Sequence, residues 1–343
     1  MLAIRSTYHR PTRISGRARC ALIAALAALT VAADATSTTA PAQAATTTQA
    51  APAQTLVITG AGDGHGVGMS QDGALGYAQH GWSDQAILAH YYTGTAIGQA
   101  PPNVSVRVLI GSKVQTIALE KYVRGVVSAE MPAEWPPAAL EAQAIASRTY
   151  ALTAHAGGSR FDVYADTRSQ VYRGVAAETA QTNAAVAATA GQIVTYAGRP
   201  AITYFYASSG GMTEDVQNAW PGAESKPWLL GVPDPYDVGP QFDWKLSMSF
   251  ATASARLRGL VKGRLRGIEV LTRGVSPRIL TAAILGSAGN TPVSGAELAA
   301  RLGLQDTWAY FSVRAGRAPV KPEPDHSAPS PPGPTPAGGV SAG

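Results

Sequence analysis

Residues 119–131 read LEKYVRGVVSAEM, and the spacing of their apolar members decides how the middle of the chain is built. At about 100° per residue, Leu119, Val123, Val126 and Val127 fall at about 0°, 40°, −20° and 80° around a helix. They make one apolar stripe, with Glu120, Lys121, Arg124 and Ser128 outside it. Glu130 falls at about 20°, inside the stripe, in the last turn. Met131 is followed by Pro132, which disfavours helical geometry in the residue before it. The segment therefore predicts a helix that turns a carboxylate toward its buried side and then stops.

A carboxyl group in that position is disfavoured in its charged form by desolvation. The negative end of the helix dipole acts in the same sense. Such a group is suited to general-acid chemistry. The same placement also suits a structural glutamate bonded to an arginine or to backbone amides, and the residues alone leave both open. Glu134 is the other carboxylate nearby, but it lies past the helix break beside Trp135 and reads as a surface or capping residue.

Working outward, Pro136-Pro137 opens AALEAQAIASRTYALTAH, a second helix with proline at its favoured first position. Gln143, Ser147 and Tyr150 share one face, and Ala142, Ala144 and Ala146 permit close packing. Gln143 and Arg148 are candidates to bond a sugar or to orient Glu130, with a solvated polar face as the alternative. The segment AITYFYASSGGMTED predicts a strand over 201–207, with Ile202, Tyr204 and Tyr206 on one face. Ser208-Ser209-Gly210-Gly211 then reads as a tight turn whose amides can approach a ligand closely. Tyr204, Tyr206, Ser209, Gly210 and Gly211 are thus candidate ligand-binding residues, and His65, in the glycine-dense GDGHGVGMSQDGA, joins them. That segment lacks the GK[ST] ending of a phosphate loop. His65, His80 and His90 have no metal spacing, and neither a GxSxG nor a serine triad is evident.

Other strands are predicted at 55–59, 104–110, 192–196, 267–272 and 279–285. Further helices are predicted at 84–91, 176–188 and 295–302. The two do not alternate regularly, so the fold class expected is α+β. No internal repeat is evident.

The ends are compositionally distinct. Residues 1–19 are basic, 20–33 are continuously apolar, and small-residue exits follow at Ala33-Asp34-Ala35 and Ala42-Gln43-Ala44, the pattern of a secretory signal over 1–44. An uncleaved anchor is the alternative, although the apolar run falls short of the roughly 20 residues a spanning helix needs. Residues 45–55 read as a flexible linker, 56–315 as the ordered domain, and the proline-rich 316–343 as a disordered tail. The formal charge of +5 arises largely at the leader, which holds Arg5, Arg10, Arg13, Arg17 and Arg19 against Asp34 alone. The remainder nearly balances, so no basic patch points to nucleic acid. Cys20 is the one cysteine and precedes the apolar run. A processed chain therefore has no disulfide, thiol nucleophile or cysteine metal ligand.

Several ordered blocks together resemble the SpoIID and LytB family of cell-wall proteins. They are GHGVGMSQDGALGYAQHG, ILAHYYTGT, LEKYVRGVVSAEMPAEWPPAALEAQAIASRTYAL, ADTRSQVYRG, TYFYASSGGMTEDVQNAW, WLLGVPDPYD, SPRIL and VSGAELAARLGLQDTW. The resemblance implies a lytic transglycosylase that cleaves peptidoglycan glycan strands stripped of stem peptides, with the glutamate of the EMP motif, here Glu130, as the catalytic group. It implies equally that some members enhance an N-acetylmuramoyl-L-alanine amidase instead of cutting. Peptidoglycan glycan, and in the second case an amidase, are the partners implied. Some relatives carry cysteines and an associated zinc in the segment matching ADTRSQVYRG. Here residues 165–170 are Ala, Asp, Thr, Arg, Ser and Gln, so neither zinc nor any other cofactor is expected. The setting implied is an exported protein of wall remodelling or sporulation.

Overall fold

The computed structural model describes residues 54–315. The leader over 1–44, nearly all of the linker and the tail over 316–343 lie outside the described residues. The first strand, Gln54–Ala61, begins two residues ahead of the expected domain start at 56.

The architecture is α+β, with eight helices and five small sheets among the described residues. The helices are α1 (Gln71–Gln79), α2 (Asp84–Tyr91), α3 (Leu119–Glu130), α4 (Pro137–Thr153), α5 (Ala180–Ala188), α6 (Val216–Ala219), α7 (Phe250–Arg256) and α8 (Gly295–Leu302). They divide between two hydrophobic cores.

The first core is organised around α4, which packs against α1, α2, α3 and α5. Ala142, Ala144 and Ala146 are fully buried there, and their small side chains let several helices approach one axis. The predicted stripe on α3 is buried as expected: Leu119, Val123, Val126 and Val127 all face the core. Met131 is extended (φ −127°, ψ 144°), as Pro132 requires. α5 starts at Ala180, four residues later than the periodicity suggests, because Thr179 and Thr182 form a reciprocal capping box there.

The second core joins two antiparallel three-stranded sheets with α7 and α8. In one sheet Gln54–Ala61 lies between Asp243–Ser249 and Ala309–Ala315. In the other Ile279–Gly286 lies between Leu265–Arg273 and Gly289–Ser294. Leu56, Ile58, Leu257, Ile284 and Leu302 fill the space between. The described residues thus begin in the second core, build the whole first core, and return.

The expected strand over 201–207 is largely absent. Only Phe205–Tyr206 pairs, in parallel with Met69–Ser70. The preceding backbone groups find other partners: the Ile202 carbonyl accepts from Trp228 Nε1 at 3.0 Å, and the Tyr204 carbonyl from Tyr92 Oη at 2.8 Å. With these groups satisfied, no neighbouring strand is needed. α1 is a helix that hydrophobic periodicity does not announce, since Gly73 and Gly76 interrupt it. Gly76 is required by proximity: a Cβ there would sit 1.7 Å from the Tyr236 carbonyl oxygen.

The two cores meet along a polar seam. Arg278 and Asp306, 2% and 0% exposed at the side chain, pair at 2.7 Å. Arg278 also donates to the carbonyls of Met212 (2.7 Å) and Ser209 (3.0 Å). Gly66, at φ +83°, runs directly over the guanidinium, where a Cβ would lie 2.5 Å from Nε. An enclosed arginine is tolerated only with its charge and donors matched. Arg278→Met should therefore cost about 3–5 kcal/mol by stranding Asp306. Urea unfolding followed by far-UV circular dichroism checks it.

Candidate functional site

Glu130 is 9% exposed and lies at the base of a cleft where four separate segments meet. Its Oε1 accepts from the backbone N–H of Val171 at 2.6 Å. Its Oε2 accepts from Gln71 Nε2 at 3.3 Å, and the same nitrogen lies 3.4 Å from the Glu130 carbonyl oxygen. These donors fix the direction in which the group points.

The anchoring runs back into the first core. Gln71 is the first residue of α1, held by the Ser70 N-cap, whose Oγ accepts from Gly73 N at 3.0 Å. Gln71 Nε2 also reaches Gln143 Oε1 at 3.4 Å, and Gln143 Nε2 donates to Ser147 Oγ at 2.9 Å. Gln170 Nε2 donates to the Ser147 carbonyl and to Tyr122 Oη, both at 3.1 Å. A chain of buried amides thus runs from the centre of α4 to the carboxylate.

The cleft above Glu130 encloses about 420 Å³ of space, part of it open to solvent. Asp63 and His65 come from the glycine-rich segment, Thr167 and Ser169 from the segment before Val171, and Phe205 and Tyr206 from the short strand. His65 is held neutral. Burial, followed by the nearby Arg278 charge, lowers its pKa to about 3. Its Nδ1 accepts from Val67 N at 3.1 Å, which leaves Nε2 to carry the proton. Its ring packs against Tyr206 at 5.2 Å and Trp220 at 4.9 Å between centroids.

The expected site residues separate into two groups. Glu130, His65 and Tyr206 line the cleft. Gln143 is fully buried and acts on the site only through Gln71. Tyr204 is 7% exposed and supports the cleft from behind, with its ring 4.7 Å from Trp220 and 6.1 Å from His65. Arg148 does not approach Glu130. It is fully buried, paired with Glu120 at 2.8 Å, and donates to the Gln192 carbonyl at 3.0 Å. Such enclosure needs a partner charge and carbonyl acceptors; Glu120 of α3 supplies the charge, and the carbonyls of Val186 in α5 and of Gln192 accept the remaining donors.

Ser209, Gly210 and Gly211 also differ from expectation, because their donors point inward. Asp237 Oδ2 accepts from Ser208 Oγ (2.9 Å), Ser209 Oγ (2.8 Å) and Gly210 N (3.0 Å), and the Ser209 N–H reaches the same oxygen. Gly211 N donates to Ser209 Oγ at 3.0 Å. The turn is a carboxylate cradle within the protein, and none of its three candidates lines the cleft.

Sequence reasoning missed Asp63, Gln71, Thr167, Ser169, Phe205 and the Val171 amide. A signal existed for Gln71: Ser70 followed by an acidic first turn at Asp72 is a helix-start pattern, masked by the glycines around it. Phe205 and Tyr206, neighbours in a strand of only two residues, both line the cleft, which strand alternation does not anticipate.

Residues 111–196 match the family model for SpoIID, Stage II sporulation protein. These residues are a SpoIID domain. It contains α3, α4, Glu130 and Val171, so the resemblance read from the sequence blocks is borne out. The chain is 30% identical over 227 residues to the Stage II sporulation protein D of Bacillus amyloliquefaciens, covering 60% of this chain and 64% of that one. To the protein of the same name from Bacillus subtilis it is 32% identical over 210 residues, covering 53% and 60%. It is also 37% identical over 127 residues to an amidase enhancer of B. subtilis, covering 37% of this chain and 17% of that one. The chain thus spans less than two thirds of the length of these relatives.

Beside the Asp237 cradle lies Asp234, which accepts from Tyr91 Oη at 2.8 Å. Burial first, and then the Asp237 charge, raises its pKa from 3.8 to about 7. The folded state then binds a proton that the unfolded chain releases at lower pH. The resulting stabilisation is full below about pH 4 and lost as pH rises through 7. In Asp234→Asn the fall in stability between those values should flatten, which urea titrations at a series of pH values would measure.

Proposed function

We propose that this chain is an exported cell-wall protein that cleaves peptidoglycan glycan strands as a lytic transglycosylase, with Glu130 as acid and then base. The observation that carries the reading is the aimed carboxyl group: one oxygen held by a backbone amide, the other by Gln71, at the floor of an open cleft. The SpoIID domain that contains it supports the same reading.

In this mechanism the protonated Glu130 gives its proton to the glycosidic oxygen between N-acetylmuramic acid and N-acetylglucosamine. The C1–O bond breaks with the electron pair leaving on that oxygen, and an oxocarbenium-like centre develops. Glu130, now a carboxylate, takes the proton from the muramic C6 hydroxyl as its oxygen bonds to C1. The products are a 1,6-anhydromuramic end and a new hydroxyl on the departing strand, and no water enters. The internal hydroxyl replaces the water and the second carboxylate of ordinary glycoside hydrolysis. Neutral His65 and Tyr206 contribute an uncharged wall beside the reacting sugar.

Asp63 brings a second carboxylate into the same cleft, and product analysis separates its two roles. A water-activating partner would yield reducing ends, whereas the internal reaction yields anhydro ends. Mass spectrometry of peptide-free glycan digests should show anhydro ends with the wild type, and a loss of about 10²–10⁴-fold in their rate of formation for Glu130→Gln. Equal yields from the two proteins would exclude the mechanism.

A second reading is favoured by the likeness to an amidase enhancer. In it the same cleft grips glycan without cutting and presents it to a cell-wall amidase. That reading predicts no anhydro ends from the protein alone, and faster release of stem peptides when an amidase is added.

A further inference from the structure

Residues 233–239, Pro-Asp-Pro-Tyr-Asp-Val-Gly, form a strap that lies along α1 at contact distance. A Cβ at Gly73 of α1 would sit 2.1 Å from Tyr91 Oη and 2.4 Å from Asp234 Oδ2. One at Gly239 would sit 1.8 Å from Asp72 Oδ2. Gly76 lies equally close under the Tyr236 carbonyl, and His80, the C-cap of α1, stacks on the Tyr236 ring at 4.1 Å. Contacts this close leave α1 little freedom to turn about its own axis. The rotation they select is the one that points Gln71, the first residue of α1, at the Glu130 carboxyl group.

Asp234 sits at the centre of this contact and is fully buried. Its Oδ1 accepts from Tyr91 Oη at 2.8 Å, while its Oδ2 has no hydrogen-bond partner among the described residues. The hydroxyls of Ser209 and Ser70, which donate to Asp237 Oδ2 at 2.8 and 3.4 Å, act on Asp234 as well. Ser70 is the N-cap of α1. An ionised Asp234 would compete with Asp237 for that hydroxyl and hold an unmatched charge on Oδ2, whereas a neutral one makes neither demand. The surrounding groups stay uncharged near neutrality. Burial pushes Tyr77, Tyr91 and Tyr206 above the ordinary tyrosine value, and it lowers His90, which bonds the Pro233 carbonyl. Asp237 on the strap and Asp72 on α1 are the other carboxyl groups beside it.

We propose that Asp234 is a positioning residue for Glu130: in its neutral form it seats α1 against the strap so that Gln71 holds the carboxyl group, and its ionisation loosens that hold through the Ser70 cap. Asp234 does not line the cleft and acts only through α1. With its pKa pushed up to about 7, chiefly by burial, the seated form prevails below that pH and is lost as pH rises through it. The consequence for activity rests on the reading of Glu130 as the cutting group, but the positioning itself does not.

The test is a pH titration of the full chain, labelled with nitrogen-15 and followed by NMR at the Gln71 side-chain amide and the Val171 backbone amide, the two donors to Glu130. In the wild type both resonances should move together with a midpoint at about pH 7. Asp234→Asn, which keeps the side-chain shape in an uncharged form, should lose that transition and hold both resonances at their low-pH positions. Tyr91→Phe removes a donor that favours the charged form, so its midpoint should rise by roughly one pH unit. A transition that persists unchanged in Asp234→Asn overturns the inference, because Glu130 or another group then causes it. So does a wild type without the transition, or a midpoint that Tyr91→Phe leaves in place. Formation of anhydro ends should decline over the same pH range in the wild type, and at higher pH in Tyr91→Phe. If the resonances behave as expected but no anhydro ends form at any pH, the positioning holds and the cutting role of Glu130 fails.

Discussion

Arg278 has no solvent to satisfy it, so each of its donors has to find an oxygen inside the protein. It finds them in Asp306, in the carbonyls of Ser209 and Met212, and in the Ser276 hydroxyl. Those acceptors come from separate stretches of chain, and the arginine makes their relative placement a single requirement. Once it is met, the glycine-rich segment can pass only where Gly66 clears the guanidinium. That path carries Asp63 and His65 to the cleft and lays Met69–Ser70 beside Phe205–Tyr206.

The cleft is therefore assembled from two directions. From the first core, α4 supplies the buried Gln143 amide that orients Gln71, and α3 supplies Glu130. From the seam come His65, Asp63 and the short strand. Buried polar side chains are abundant around the site, but most serve the fold. Asp237 gathers the Ser208–Gly210 donors, and Arg148 ties Glu120 to the end of α5. What sets Glu130 apart is that its carboxyl group is anchored at the floor of a cleft that is partly open to solvent. A polar residue whose partners are all internal holds shape, whereas one that also faces a cleft is available for chemistry.

The neutral state of His65 follows from the same arrangement. Burial and the Arg278 charge both oppose its protonation, so the charge that organises the seam also keeps the imidazole uncharged beside the cleft. Structure at the seam and electrostatics at the cleft thus share a cause in the buried Arg278 charge.

Local information in the chain was enough to determine α3 and the burial of its valine stripe, the stop at Pro132, the alanine-rich α4, and the inward direction of Glu130, because helical period and proline geometry act over a few residues. The ordered blocks likewise carried the resemblance to SpoIID proteins and, through it, the reading of Glu130. Only the tertiary structure decided which polar residues serve that glutamate. Ser209, Gly210 and Gly211 read locally as an open ligand turn, but Asp237, 28 residues beyond Ser209, takes the donors of Ser209 and Gly210. Arg148 shares a helix with Gln143 yet turns to Glu120. Gln71, Asp63, Phe205 and the Val171 amide carry no local mark of their role. Their placement depends on contacts between segments far apart in sequence, and those contacts are fixed by packing and by the need to satisfy buried polar groups, which no periodicity encodes.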